Sequence, residues 1–198
     1  MEIQDMTTTM DRAVSKPTVK MSVILIVACV ALMTVCSWIR IPGPVPVTMQ
    51  TFAVFLTVSL LGTKRGAIAV GSWLAIGLAG APVFAGFMGG FPYLFGLTGG
   101  YIIGFIGTAF VTGAIISRFG SKVPVLFGAM VAGLAVCYIF GTAWFMVAAG
   151  PVMGGIDLQG ALMMCVVPFI IPDLLKIALA IGLFKLFGER VRAYAAKH

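Results

Sequence analysis

Uncharged apolar blocks alternate along this chain with short clusters of charge, proline or glycine. Residues 21–39 carry no charge and approach the roughly 20 residues that a helix needs to cross a bilayer core. Arg40 ends that block, and Pro42, Pro44 and Pro46 break any helix beyond it. A second block runs over 47–62, Lys64 and Arg65 mark a turn, and a third covers 67–81. An uncharged stretch rich in Gly and Pro follows at 82–100. The fourth block, 101–117, is bounded by Arg118 and Lys122, and the fifth covers 123–149. After a loop of Gly150, Pro151, Gly154, Gly155 and Asp157, the sixth runs over 158–187, interrupted by Pro168 and Pro172. The pattern predicts an all-α integral membrane protein with six transmembrane helices and a buried central loop on the outer side. The domain plan is a polar cytoplasmic segment 1–20, a membrane domain 21–187 and a cytoplasmic tail 188–198. The second and third spans are short, which predicts tilt or local thinning of the bilayer. The apolar run after Lys20 is too long for a cleaved signal and lacks a small-residue cleavage site.

Composition strengthens this reading. Hydrophobic residues make up 61% of the 198 positions and charged residues 10%, where a soluble domain has roughly 25% charged. Mean hydropathy is +1.12. Such a chain has too few polar side chains to cover a soluble surface, which excludes a soluble enzyme and a disordered protein. The net charge of +7 is not a nucleic-acid signal, because the 13 basic residues are scattered between apolar blocks. They carry topology instead. With six spans, Arg12, Lys16, Lys20, Lys64, Arg65, Arg118, Lys122, Lys185, Arg190, Arg192 and Lys197 fall on one face, and Arg40 alone on the other. The positive-inside rule then puts both termini in the cytoplasm of a multi-pass plasma-membrane protein. Cys29, Cys36, Cys137 and Cys165 lie in apolar stretches without a CxxC and read as buried thiols. The single His198 rules out a histidine metal cluster, and the lack of GxxxxGK[ST] places any ATPase on another chain.

Three places carry candidate chemistry. Asp173 and Lys176 sit inside the sixth span, where each charge costs roughly 2.5–3.5 kcal/mol at a helix centre. Spaced i, i+3, they share a helix face. Pro172 suits a first helical turn, which would set Asp173 near a helix N-terminus. The pair reads either as an ion pair holding the bundle in register or as a polar pocket. In a pocket, Asp173 accepts from a ligand N–H and Lys176 donates to a ligand oxygen. The second place is the stretch 82–100, with six glycines and the aromatics Phe84, Phe87, Phe91, Tyr93 and Phe95. An apolar loop at membrane depth lines a cavity or is buried in protein. It is expected to be a lid with aromatics against a ligand and glycines, Gly86 among them, allowing close approach; a packed plug is the alternative. The third is 40–51, where Arg40 holds an anionic ligand group or anchors the interface, and Thr48, Gln50 and Thr51 supply uncharged polar groups. Trp38 and Trp144 read as interface belt residues, and Trp73 as packing or pocket wall. Small residues four apart mark ridges at Ala67, Gly71, Ala75 and Ala79, at Gly96, Gly100, Gly104, Thr108 and Thr112, and at Ala129, Gly133, Cys137 and Gly141, for packing within the bundle or, for one of them, against a partner subunit.

At these places the chain resembles a known family. Ile41-Pro42 with Pro44-Val45-Pro46-Val47-Thr48-Met49-Gln50-Thr51 resembles the first-loop motif of BioY, the biotin-specific substrate-binding (S) components of energy-coupling-factor (ECF) transporters. Pro82-Val83-Phe84-Ala85-Gly86 with Gly89-Gly90 and Thr98-Gly99-Gly100-Tyr101 is similar to the family's central loop. Pro168-Phe169 with Pro172-Asp173-Leu174-Leu175-Lys176 is similar to its last-span motif. The resemblance implies a six-helix protein that binds biotin from outside, with Asp173 and Lys176 lining the site. It also implies a transmembrane coupling subunit and two cytoplasmic ATPases as partners, and no cofactor beyond biotin as transported ligand. Biotin's ureido group offers two N–H donors and one carbonyl, and its thioether ring and aliphatic tail suit Phe84, Phe87 and Tyr93. The residues marked for the ligand are Asp173, Lys176, Phe84, Gly86, Tyr93, Arg40 and Gln50. One departure stands out: many S components carry Ala-x-x-x-Ala on the first helix, whereas here Ala28 is followed by Leu32 and Ala31 by Val35. The rival readings are an S component for another small vitamin, a membrane enzyme using Asp173 and Lys176, and a channel. A channel should carry a polar stripe along several spans, which is absent here.

Overall fold

A computed structural model describes residues 19–43 and 45–197. The predicted N-terminal segment therefore lies outside the described residues up to position 18, as do Pro44 of the first-loop motif and His198. The first apolar block forms helix α1 (Val19–Trp38). A short ribbon follows, with β1 (Arg40–Ile41) antiparallel to β2 (Val47–Thr48) and Arg40 opposite Thr48. The prolines between them deny the chain a helix here. This ribbon was not anticipated from sequence.

Helix α2 (Gln50–Leu78) holds both the second and the third predicted spans. Gly62, at φ 75° and ψ −179°, breaks it into arms 50–61 and 63–78. That positive φ is strained for any residue with a Cβ. The arms fold back on each other, because a Cβ on Gly66 would lie 3.1 Å from the Val58 Cα; along a straight helix the two would be roughly 12 Å apart. The turn thus lies at Gly62, two residues before Lys64. The first arm is roughly 18 Å long, well short of a bilayer core of about 30 Å, as its short apolar block implies.

The central loop contains one short helix, α3 (Phe91–Leu94). Helices α4 (Gly99–Phe119) and α5 (Val123–Met153) extend the fourth and fifth predicted spans by a few residues at their ends. The sixth block becomes α6 (Leu158–Cys165), α7 (Val167–Leu183) and a π-helical turn (Phe184–Gly188), followed by α8 (Glu189–Lys197). Asp157 caps α6, its Oδ1 accepting from Gly160 N at 2.9 Å. The chain breaks at Val166 (φ −123°, ψ −57°). Pro168, not Pro172, takes the first turn of α7, and Pro172 lies inside the helix. This corrects the expectation for Asp173: it sits in the second turn, beyond the reach of the helix-end charge.

Small residues explain the tightest packing. A Cβ on Gly133 would collide with Thr112 Oγ1, and one on Gly104 would lie 3.3 Å from the Cys137 Cα. That proximity lets Thr108 Oγ1 donate to Gly133 O at 2.9 Å and Thr112 Oγ1 to Ala129 O at 3.2 Å, across α4 and α5. The ridges on these two helices therefore face each other. The ridge at Ala67, Gly71, Ala75 and Ala79 does not pack this way: Ala75 and Ala79 are exposed, and Gly66, Ala69, Trp73 and Gly77 form the buried face.

The two ends of the bundle differ. At one, Thr63 bonds Ser117 at 3.0 Å and Gly188 packs near Leu60. Lys64, Arg65, Arg118, Lys122, Lys185, Arg190 and Arg192 cluster there by sequence position. At the other, Ser37 Oγ donates to Val83 O at 2.6 Å and Trp38 Nε1 to Pro82 O at 2.9 Å, which ties α1 to the central loop.

Candidate functional site

The central loop divides its side chains between two surroundings. Val83, Phe84 and Ala85 are buried. Phe84 stacks on Tyr93 (ring centroids 4.9 Å apart) and meets the edge of Trp73, and its ring fills the space beside Gly77 where a Cβ would sit. Phe87, Phe91 and Phe95 point outward. Phe87 lies on Trp38 and Phe95 near Trp144, whose Nε1 donates to Gly96 O at 3.0 Å. These rings form the belt expected of Trp at a membrane interface. The loop aromatics that the sequence set against a ligand thus do not share one wall in this structure. Tyr93 alone of the five lines a cavity; the others pack behind it or face outward.

That cavity lies beneath the ribbon and the loop. Val45, Pro46 and Thr48 of the ribbon segment and Ala85, Tyr93 and Thr98 of the loop form its outer wall. Gln50 and Thr51 open α2 into it, Tyr101, Ile102 and Phe105 come from α4, and Tyr138 from α5. Phe169, Asp173 and Lys176 come from α7. Its volume is about 60 Å³, room for a few waters. Burial pushes the Tyr93 phenol above its ordinary value, so it keeps its proton and can donate.

Asp173 and Lys176 are both buried and form an ion pair, Nζ donating to Oδ1 at 2.8 Å. Thr51 Oγ1 donates to the same oxygen at 2.9 Å, and Tyr138 OH donates to Oδ2 at 2.7 Å. Three donors from three helices thus converge on a carboxylate with about four accepting positions. Lys176 uses one of its three N–H groups on Asp173, and no other bond is made to it among the described residues. Gln50 accepts from Thr48 Oγ1 through Oε1 at 3.2 Å, leaving its NH₂ for the cavity. The floor therefore offers spare donors and one spare acceptor, framed by aromatic and aliphatic walls.

The sequence profile of the BioY family matches residues 6–193. The chain belongs to the BioY family. It is 41% identical to the biotin transporter BioY of Thermotoga maritima over 151 residues, 76% of this chain and 85% of that one. It is 39% identical to the probable biotin transporter BioY of Pyrococcus horikoshii over 158 residues, 79% and 90% of the two chains. Its fold is similar to the crystal structure of the S-component for biotin from an ECF-type ABC transporter, with a TM-score of 0.76 and 25% identity. That likeness covers 85% of this chain and 90% of that one. The architecture is the S-component fold, and the chain is membrane-embedded.

Within the BioY fold, the residues marked from sequence separate. Asp173, Lys176, Tyr93 and Gln50 meet at the cavity. Phe84, Gly86 and Arg40 do not line it: Phe84 supports Tyr93 from behind, and Gly86 (φ 77°) carries the Arg40 guanidinium, whose Cζ is 2.8 Å from where a Cβ would be. Sequence reasoning missed Tyr101 and Tyr138. Their signal was present, since a phenol within an apolar span needs a hydrogen-bond partner. Tyr101 OH finds Cys165 O at 3.1 Å, beside the break at Val166, and Tyr138 finds Asp173.

Removing the Tyr138 hydroxyl tests this geometry. Tyr138→Phe keeps the ring and deletes a 2.7 Å bond to a carboxylate, a class of bond that contributes roughly 1.5–3 kcal/mol. Thermal unfolding in detergent should show a loss of that order. An unchanged melting temperature would place the hydroxyl outside the network.

Proposed function

We propose that this chain is the biotin-binding component of a biotin uptake system, and that biotin binds in the cavity floored by Asp173 and Lys176. The observation that carries the reading is the incomplete bonding of that pair. Two N–H groups of Lys176 remain for the ureido oxygen, and the open accepting position of Asp173 takes a ureido N–H. Phe105, Ile102 and Phe169 then flank the thioether ring. The ribbon segment 45–48 and the central loop cover the cavity on its outer side. The enzyme alternative for the pair is not retained, because the family and its relatives are transporters.

Purified protein should carry biotin in native mass spectrometry, with a mass shift that disappears after dialysis against avidin. Preferential retention of a different vitamin when a mixture is offered would contradict the biotin assignment.

The orientation is read from charge, and the remaining subunits from the likeness to the S-component of an ECF-type transporter. The basic end of the bundle faces the cytoplasm, with both termini, and the cavity opens outside. Energy comes from two ATPase subunits through a transmembrane coupling subunit, for which the exposed face of α1 around Ala28 and Ala31 is available. Single cysteines at positions 40 and 118 should label from opposite sides of intact cells with an impermeant maleimide. Labelling of both from outside would overturn the orientation.

A further inference from the structure

The joint between α6 and α7 interrupts the backbone bonding of the last span. Val166 leaves the helical region at φ −123° and ψ −57°, and Pro168 has no N–H to give Met164 O. The Phe169 amide, which a continuous helix would turn to Cys165 O, donates to Val166 O at 2.9 Å instead. The Cys165 carbonyl is thereby freed, and Tyr101 of α4 takes it, OH donating at 3.1 Å.

Phe169, Asp173 and Lys176 follow at i, i+4 and i+7, on one face of α7, and all three line the cavity. Where the joint stands therefore sets where that face stands. Tyr101 is seated to hold it. Its ring lies against Gly141 of α5, where a Cβ would collide with it. It packs both against the main core and against the smaller cluster of Phe145, Ala149, Ala161 and Cys165 that joins α5 to α6. The side chain also forms part of the cavity wall, while its hydroxyl is engaged at the joint.

Resting on the biotin reading above, we infer that Tyr101 is a positioning residue for the ligand: its hydroxyl pins the α6–α7 joint and so aligns the Asp173–Lys176 face of α7 with the cavity. It acts through that face and makes no bond to biotin. Without the hydroxyl the joint opens more often, and only the aligned fraction of the protein binds tightly.

Isothermal titration of the purified full chain with biotin tests this in a double-variant cycle of Tyr101→Phe and Lys176→Met. Tyr101→Phe keeps the ring and removes the hydroxyl. Alone, it should weaken biotin roughly 2- to 12-fold, the range of one neutral hydrogen bond. In the Lys176→Met background the same change should cost less than about twofold, because the pair it aligns no longer holds the ligand. Hydrogen exchange should quicken at the amides of Val166, Val167 and Phe169 in Tyr101→Phe, and stay as in the parent along α1. Unchanged affinity, unchanged exchange at the joint, or an equal loss with and without Lys176 would overturn the inference, the last as a direct bond between hydroxyl and ligand. Faster exchange throughout the bundle, or a Tyr101→Phe protein too unstable to purify, would overturn it as a general role in the fold. A parent that binds no biotin would instead defeat the biotin reading, and this inference with it.

Discussion

Asp173→Asn is expected to cost the protein several kcal/mol of stability as well as its ligand. The substitution keeps the shape of the side chain but leaves the buried Lys176 ammonium without its counter-charge. Breaking a buried pair in this way typically costs about 3–5 kcal/mol. Thermal unfolding should register that loss, and titration should show biotin affinity reduced at least tenfold. Lost affinity in a destabilised protein does not by itself separate a binding residue from a structural one. The double variant Asp173→Asn with Lys176→Met does. It removes both charges, so stability should recover to within about 1 kcal/mol of the parent, because a neutral replacement of a buried pair is often tolerated. Biotin binding should not recover. A double variant that regains both stability and affinity would mean that the pair only holds the bundle together.

Lys176→Met alone is expected to be milder for the fold and severe for the ligand. Asp173 keeps two donors, Thr51 at 2.9 Å and Tyr138 at 2.7 Å, whereas Lys176 in the opposite variant keeps at most a neutral amide oxygen and no counter-charge. The stability loss should therefore be smaller than for Asp173→Asn. The ligand loses the ammonium donors to its ureido oxygen, worth roughly 1.5–3 kcal/mol, or about one to two powers of ten in affinity. The reverse order of stabilities, or unchanged affinity in the folded Lys176→Met protein, would contradict this division of roles.

The spans were legible because their physics is one-dimensional: a bilayer demands an uncharged block of set length, and each block shows in the sequence. The small-residue ridges of α4 and α5 were readable too, since close approach needs a small residue at every fourth position, but not that they face each other. What failed required three-dimensional information. The loop aromatics Phe84, Phe87, Phe91 and Phe95 match a ligand wall in composition, and only the folded loop shows which ring faces the cavity. The helix start at Pro168 rather than Pro172 was equally hidden, because either proline suits a first turn. Asp173 and Lys176 were conspicuous as charges inside a span. Their partners Thr51 and Tyr138, 122 and 35 residues away from Asp173, were not pairable from sequence.

The central claim is that biotin occupies the cavity above the Asp173–Lys176 pair. A crystal structure of the protein with bound biotin tests it most directly. The expected result places the ureido ring within hydrogen-bonding distance of Lys176 Nζ and an Asp173 oxygen, between the ribbon and the central loop. Biotin bound elsewhere, with the pair still closed on itself and the cavity at its present size, would contradict it.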